Sequence, residues 1–166
     1  MTGSEPLSID EEYAMQQSWR KDSDKCTFIV LAKEPLDSSS KSCDIYDNSR
    51  MIGDVNFYLN NTENPHEAEL EVMIAEQSST GKGIATEVLK LMMAYAVNDI
   101  KVTDFVVRIK DSNVSSIHIF EKKLGFEETE RSAVFKEVTL RRKVDNALRA
   151  AVEQWSAHAA RVDYVV

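Results

Sequence analysis

The chain has 166 residues, 43% of them hydrophobic and 29% charged, the balance of one globular domain and not of a disordered segment. With 20 basic against 28 acidic residues and a formal net charge of −8, it lacks the clustered positive charge that general nucleic-acid binding needs and suits a cationic or amine-bearing partner instead. Cys26 and Cys43 make neither a metal-ligand spacing nor a disulfide framework, and no stretch approaches the ~20 apolar residues of a membrane span; a soluble cytoplasmic protein without a metal is expected.

Ser8 followed by Glu11 has the spacing of a capping box and predicts a helix over 8–19. Residues 26–31, an apolar run rich in β-formers, predict a buried strand, and the Ser- and Asp-rich stretch 36–50 a surface loop. Over 51–59, Val55, Phe57 and Leu59 alternate with Asp54, Asn56 and Tyr58; over 69–74, Leu70, Val72 and Ile74 alternate with Glu69, Glu71 and Met73. That period of two predicts a hairpin. Ile84, Val88, Leu91, Met92 and Tyr95 then recur at helical spacing to about Asn98, with Gly81 and Gly83 at the mouth of the helix. A strand over 104–109, a helix over 113–124 closed by Gly125, and a strand over 134–140 follow. Leu148, Val152, Trp155 and Ala159 share one face of a docked amphipathic helix over 145–159. No internal repeat or clean domain boundary appears.

A strand, the turn Gly81-Lys82-Gly83 and a helix stand in the order that binds phosphate. The first turn of a helix presents unpaired N–H groups at the positive end of its macrodipole, and glycine lets a pyrophosphate approach the backbone. Two glycines also serve simply to shape a tight turn. A Walker loop is excluded, because with Gly81-Lys82 as anchor the first glycine position holds Glu76 and the last position holds Gly83. A Rossmann fingerprint fails at Thr86, where its third glycine belongs.

Thr80-Gly81-Lys82-Gly83-Ile84-Ala85 resembles the GNAT acetyltransferase signature Gln/Arg-x-x-Gly-x-Gly/Ala, with threonine at the first position. Residues 113–126, from Asn113 to Leu124-Gly125-Phe126, resemble the family's second block. Ser4-Glu5-Pro6-Leu7, Gly53-Asp54-Val55-Asn56, the run 71–76 and the run 135–141 look like the N-acetyltransferase 9-like branch, akin to the RimJ and RimL acetyltransferases. The resemblance implies an α/β (α+β) GNAT fold, a mixed and mostly antiparallel sheet flanked by helices. Relatives carry a first strand and helix ahead of the segment that starts at Met1, so a version with them is expected to be more stable. Residues 1–145 are assigned to the acetyltransferase domain and 146–166 to a C-terminal helix and tail.

The same resemblance implies acetyl-CoA as cosubstrate, held by backbone N–H groups of Met73, Ile74 and Ala75, by the turn Thr80, Gly81, Lys82, Gly83, Ile84 and Ala85, and by Asn113. Asn113 also reads as a plain helix cap. The acceptor is an amine, of a protein α-amino group or a lysine, and Glu71 is the expected base, with Glu69 and Asp54 behind it. These acids equally fit a solvated strand face. Phe120 occupies the position where many relatives place a tyrosine general acid, which keeps open the alternative of a GNAT-shaped interaction protein that does not turn over.

Overall fold

The computed structural model describes residues 8–33, 49–157 and 159–162. Its strands are β1 Lys25–Lys33, β2 Ser49–Tyr58, β3 Glu67–Ile74, β4 Asp104–Lys110, β5 Glu127–Ser132 and β6 Glu137–Lys143; its α-helices are α1 Ile9–Lys21, α2 Ile84–Tyr95, α3 Val114–His118 and α4 Asn146–Ser156. The strands form one sheet in the order β1-β2-β3-β4-β6-β5, antiparallel throughout except where β3 meets β4. The mixed, mostly antiparallel sheet that the family resemblance implies is thus present.

Strand alternation sorts the sheet into two unlike faces. On one, Val55, Phe57, Leu70, Phe105, Val107 and Leu140 are buried and form a single cluster with Leu89 and Met93 of α2, Phe120, and Leu148 and Val152 of α4. Each such side chain contributes roughly 1.5–3 kcal/mol by leaving water. The other face carries Asp54, Tyr58, Glu69, Glu71, Arg108 and Arg141. There α1, capped by Ser8 and Glu11 as predicted, reaches the β1 end of the sheet through Trp19, whose ring lies 3.9 Å from the Lys25 ammonium.

Several expectations change. The run 26–31 is a strand but not a buried one: among the described residues β1 pairs with β2 alone, and Phe28 and Ile29 are 44% and 52% exposed. An apolar β-forming run reads the same in the middle of a sheet and at its edge. The strand expected over 134–140 begins at Glu137, leaving Val134 and Phe135 in an exposed turn, because its register is set by Val138 and Leu140 against β4. Strand β5 has no apolar residue to announce it. Both α2 and α3 run on into wider π-type turns, over Ala96–Ile100 and Ile119–Lys123, and Gly125 takes the expected left-handed cap conformation at φ 68°. The loop predicted over 36–50 lies outside the described residues apart from Ser49 and Arg50, which open β2, and Ser4 to Leu7 lie outside them too. No described helix is long and apolar enough to cross a membrane, and no cluster of three metal-ligating side chains occurs among the described residues.

One feature of the topology positions the site. Strands β3 and β4 pair at Glu67↔Asp104, Ala68↔Phe105 and Glu69↔Val106 and nowhere beyond. Past that point β3 stays with β2 as far as Ile74, and β4 stays with β6 as far as Lys110. The sheet therefore splits. Ion pairs of Glu67 with Arg141 and of Glu69 with Arg108 tie its halves together at the closed end.

Candidate functional site

Where β3 ends, the amide N–H groups of Ala75 and Glu76 both donate to the Ile52 carbonyl, at 2.9 and 3.2 Å. The Glu76 carboxylate then accepts from the Ser78 backbone N–H at 3.3 Å and from its hydroxyl at 3.0 Å. These bonds, with the Arg50 guanidinium at 2.9 Å, hold its carboxyl below the usual range. The tight turn they enforce delivers the chain to Gly81 and Gly83, whose φ values of 71° and 83° are left-handed. Other residues adopt this conformation only at a cost, and a side chain at either position would project into open space. Both glycines are there for the backbone path.

Helix α2 starts directly after Gly83 and has no side-chain cap. The other three α-helices are capped, by Ser8, Asn113 and Asp145. The opening N–H groups of α2 thus lack the side-chain acceptor found elsewhere in the molecule. They border a cavity of about 350 Å³ on the helix side of the split sheet, walled by Val72 and Ile74 of β3, the glycine turn, and Ser115, Ser116, Phe120 and Lys123.

The structure brings Ile74, Thr80, Gly81, Gly83, Ile84 and Ala85 to this cavity and leaves Met73, Ala75, Lys82 and Asn113 out of its wall. The Ala75 amide is already engaged with β2. Because N–H directions alternate along a strand, that of Met73 points toward β2 as well, and those of Val72 and Ile74 point toward the split. Asn113 caps α3, its side chain accepting from the Ser116 N–H at 3.1 Å. The Thr80 hydroxyl donates to the Gln77 carbonyl at 2.8 Å, so its hydrogen is committed within the turn. Phe120 is 2% exposed and packs edge-to-face on Phe126 at 5.0 Å. It is an apolar wall of the cavity. Sequence reading missed Val72, Ser115, Ser116 and Lys123; the one available signal was a cation, Lys123, in the last turn before Leu124-Gly125.

On the opposite face, beside the split, the candidate acids separate by their partners. Glu69 is held by Arg108 and accepts from Asn60 at 3.4 Å. Asp54 accepts from Asn56 at 2.8 Å, and Asn56 accepts from the Thr27 hydroxyl at 2.5 Å. Glu71 accepts from the Tyr58 hydroxyl at 3.2 Å. Burial, and after it the negative charge of Glu71, pushes the Tyr58 phenol up to about 12. Among the described residues, the arrangement sets backbone donors without a side-chain cap on one side of a gap in the sheet and an acid in no ion pair, Glu71, on the other. Such a gap suits an anionic, thread-like ligand and a proton acceptor facing its far end.

A family model of the acetyltransferase (GNAT) domain matches residues 2–127. An N-acetyltransferase 9-like protein of Caenorhabditis briggsae is 43% identical over 144 residues, 84% of this chain and 68% of its own length. Alpha/beta-tubulin-N-acetyltransferase 9 of Homo sapiens is 42% identical over 164 residues, 99% of this chain and 77% of its own length. Among solved structures, the N-acetyltransferase PseH of Campylobacter jejuni in complex with acetyl coenzyme A superposes with a TM-score of 0.59 at 17% identity, over 82% of this chain and 80% of its own; that likeness speaks for the fold. The match over residues 2–127 and the two close relatives place the chain in the GNAT acetyltransferase family, in its N-acetyltransferase 9-like branch, and make it an acyltransferase.

Proposed function

We propose that this chain moves the acetyl group of acetyl-CoA to a protein amine, an α-amino group or a lysine. The name of the human relative supports tubulin as an acceptor. The observation that carries the reading is the bare opening turn of α2 at the cavity of about 350 Å³. A diphosphate matches it, bringing acceptor oxygens and negative charge to unpaired N–H groups at the positive end of a helix. Gly81 and Gly83 leave room for it, and Lys123 adds a positive charge at the cavity wall.

The amides of Ile74 and Val72, turned toward the split, are the donors suited to the pantetheine arm and to the carbonyl oxygen on which charge develops. The thioester, when bound, supplies an activated acetyl group. Glu71 removes a proton from the incoming ammonium, which is necessary because a lysine titrates near ~10.4 and an α-amine near ~7.7–8.0. Phe120 has no proton to give, so the proton for the leaving thiolate would be the second one shed by the amine nitrogen as the amide forms, relayed through water.

The melting temperature with and without acetyl-CoA tests the reading. Ligand at about 100 times its Kd stabilises by about 2.7 kcal/mol, a rise of about 5–10 °C for a chain of this size. No rise at millimolar acetyl-CoA overturns it. Thiol release with amine peptides reports transfer itself, and Glu71→Gln is expected to lower it by about 10²–10⁴-fold; normal turnover in that variant removes Glu71 from the mechanism.

A further inference from the structure

We infer that Tyr58 is a positioning residue, whose phenol donates a hydrogen bond that fixes the Glu71 carboxylate at the edge of the split in the sheet. The inference rests on the reading of Glu71 as the base. Register makes the contact specific. Tyr58 stands opposite Glu69 and Asn56 opposite Glu71, so the phenol reaches diagonally along the ladder, past its own partner, to Glu71 Oε2 at 3.2 Å.

The groups around Glu71 leave that role to Tyr58. Asn56 is committed, its amide oxygen to Thr27 and its amide nitrogen to Asp54. Arg108 of β4 is paired with Glu69. Lys25 of β1 lies over the Tyr58 ring at 5.1 Å and over Trp19 at 3.9 Å, which ties the phenol in place from the α1 side. Among the described residues Tyr58 is the one hydrogen-bond donor that Glu71 has. Two like charges, Asp54 and Glu69, stand nearby and raise the Tyr58 phenol together with Glu71. The phenol therefore keeps its hydrogen at every pH used for acetyl transfer and serves as a constant donor. With that hydrogen directed at Glu71, Tyr58 does not stand in for the tyrosine that Phe120 replaces.

A carboxylate that loses its donor is no longer held in one position at the split, and a misplaced base takes up a proton less efficiently. In Tyr58→Phe, kcat is thus expected to fall by about 2–10-fold, the worth of one hydrogen bond. KM for acetyl-CoA should stay as in the unaltered protein. Without turnover, the lost hydrogen bond should displace the Glu71 side-chain carboxyl resonance in a carbon-13 NMR spectrum of the free protein. Adding Tyr58→Phe to Glu71→Gln should cost nothing further, because a residue that acts through another has no effect once that partner is gone.

An unmoved Glu71 carboxyl resonance in Tyr58→Phe overturns the inference. So does an equal loss of rate from Tyr58→Phe in the two backgrounds. Full activity in Glu71→Gln would instead remove the base assignment while leaving the NMR result to judge the hydrogen bond. The phenylalanine keeps the ring against Lys25, and a melting temperature within a few degrees of the parent shows that the fold is retained.

Discussion

Helices α2 and α4 both lie on the apolar face and pack on each other, yet they begin differently. At α4 the Asp145 carboxylate accepts from the Leu148 N–H at 2.7 Å and closes the first turn. At α2 a left-handed glycine stands in the same place, with no side chain to accept anything. A closed turn has an N–H group satisfied by a side chain; an open one beside a cavity leaves its N–H groups for another acceptor, the role proposed for the diphosphate. Volume does not make this distinction. The larger cavity, about 830 Å³ between the β1 edge, α2 and Ser156, Ala159, Ala160 and Arg161, is walled mainly by apolar side chains such as Phe28, Val88 and Leu91. The smaller one has the backbone donors.

The sharpest way to break the contrast is to close the open turn. Gly83→Asp places a competing carboxylate among the N–H groups and repels a diphosphate, so the rise of about 5–10 °C with acetyl-CoA should vanish. The unliganded protein loses about 1–2 kcal/mol as well, because an L-residue is forced into a left-handed conformation; the ligand-induced difference is the readout. A full rise in this variant would show that the bare turn is not the binding site. Gly53→Ala should cost about 1–3 kcal/mol, since a Cβ there runs into the Met73 backbone carbonyl across the ladder. Chemical denaturation measures that cost, and any loss of acetyl-CoA binding in this variant should follow from it alone.

Opening the closed turns has the opposite signature. Asp145→Ala and Asn113→Ala should each destabilise by about 1 kcal/mol and leave the acetyl-CoA rise intact. A rise lost in Asn113→Ala alone would give that residue the ligand role the family resemblance assigned to it. Leu91→Gln, in the wall of the larger cavity, should likewise leave the rise unchanged.

The smallest effect concerns acid. Hydrogen bonds from Ser8 to Glu11 and from Arg161 to Asp99 hold both carboxyls below their ordinary values of 4.5 and 3.8. A carboxyl with a lowered folded value stabilises the protein above its unfolded value, and the contribution is lost as pH falls through the folded one. Melting temperature should hold steady above about pH 5 and decline as pH falls below the unfolded carboxylate range, near 4. The α1 helix signal should weaken in step, while α2, whose opening turn contains no carboxylate cap, follows the global transition. A helix signal independent of pH in this window would detach α1 from its capping box.

Much of the fold was legible because its signals are local. The Ser8 and Glu11 spacing, the alternation within β2 and within β3, and the stripe of Leu148, Val152 and Trp155 each lie within a dozen residues. So does the glycine turn. Strand β5 was not legible, since Glu127 to Ser132 is polar on both sides and is held by its ladder with β6. The orientation of the Ala75 amide depends on Ile52, more than twenty residues earlier.

By itself the sequence determined which segments are helices, most of the strands, and where a helix begins on glycine, because propensity, periodicity and capping act between near neighbours along the chain. Tertiary structure alone decided that β3 parts from β4 after Glu69, that Val72, Ser116 and Lys123 share a cavity with the glycine turn, and that Tyr58 reaches Glu71. Those outcomes follow from register and strand order, which are set by burying one common apolar face, a quantity that no short stretch of sequence contains.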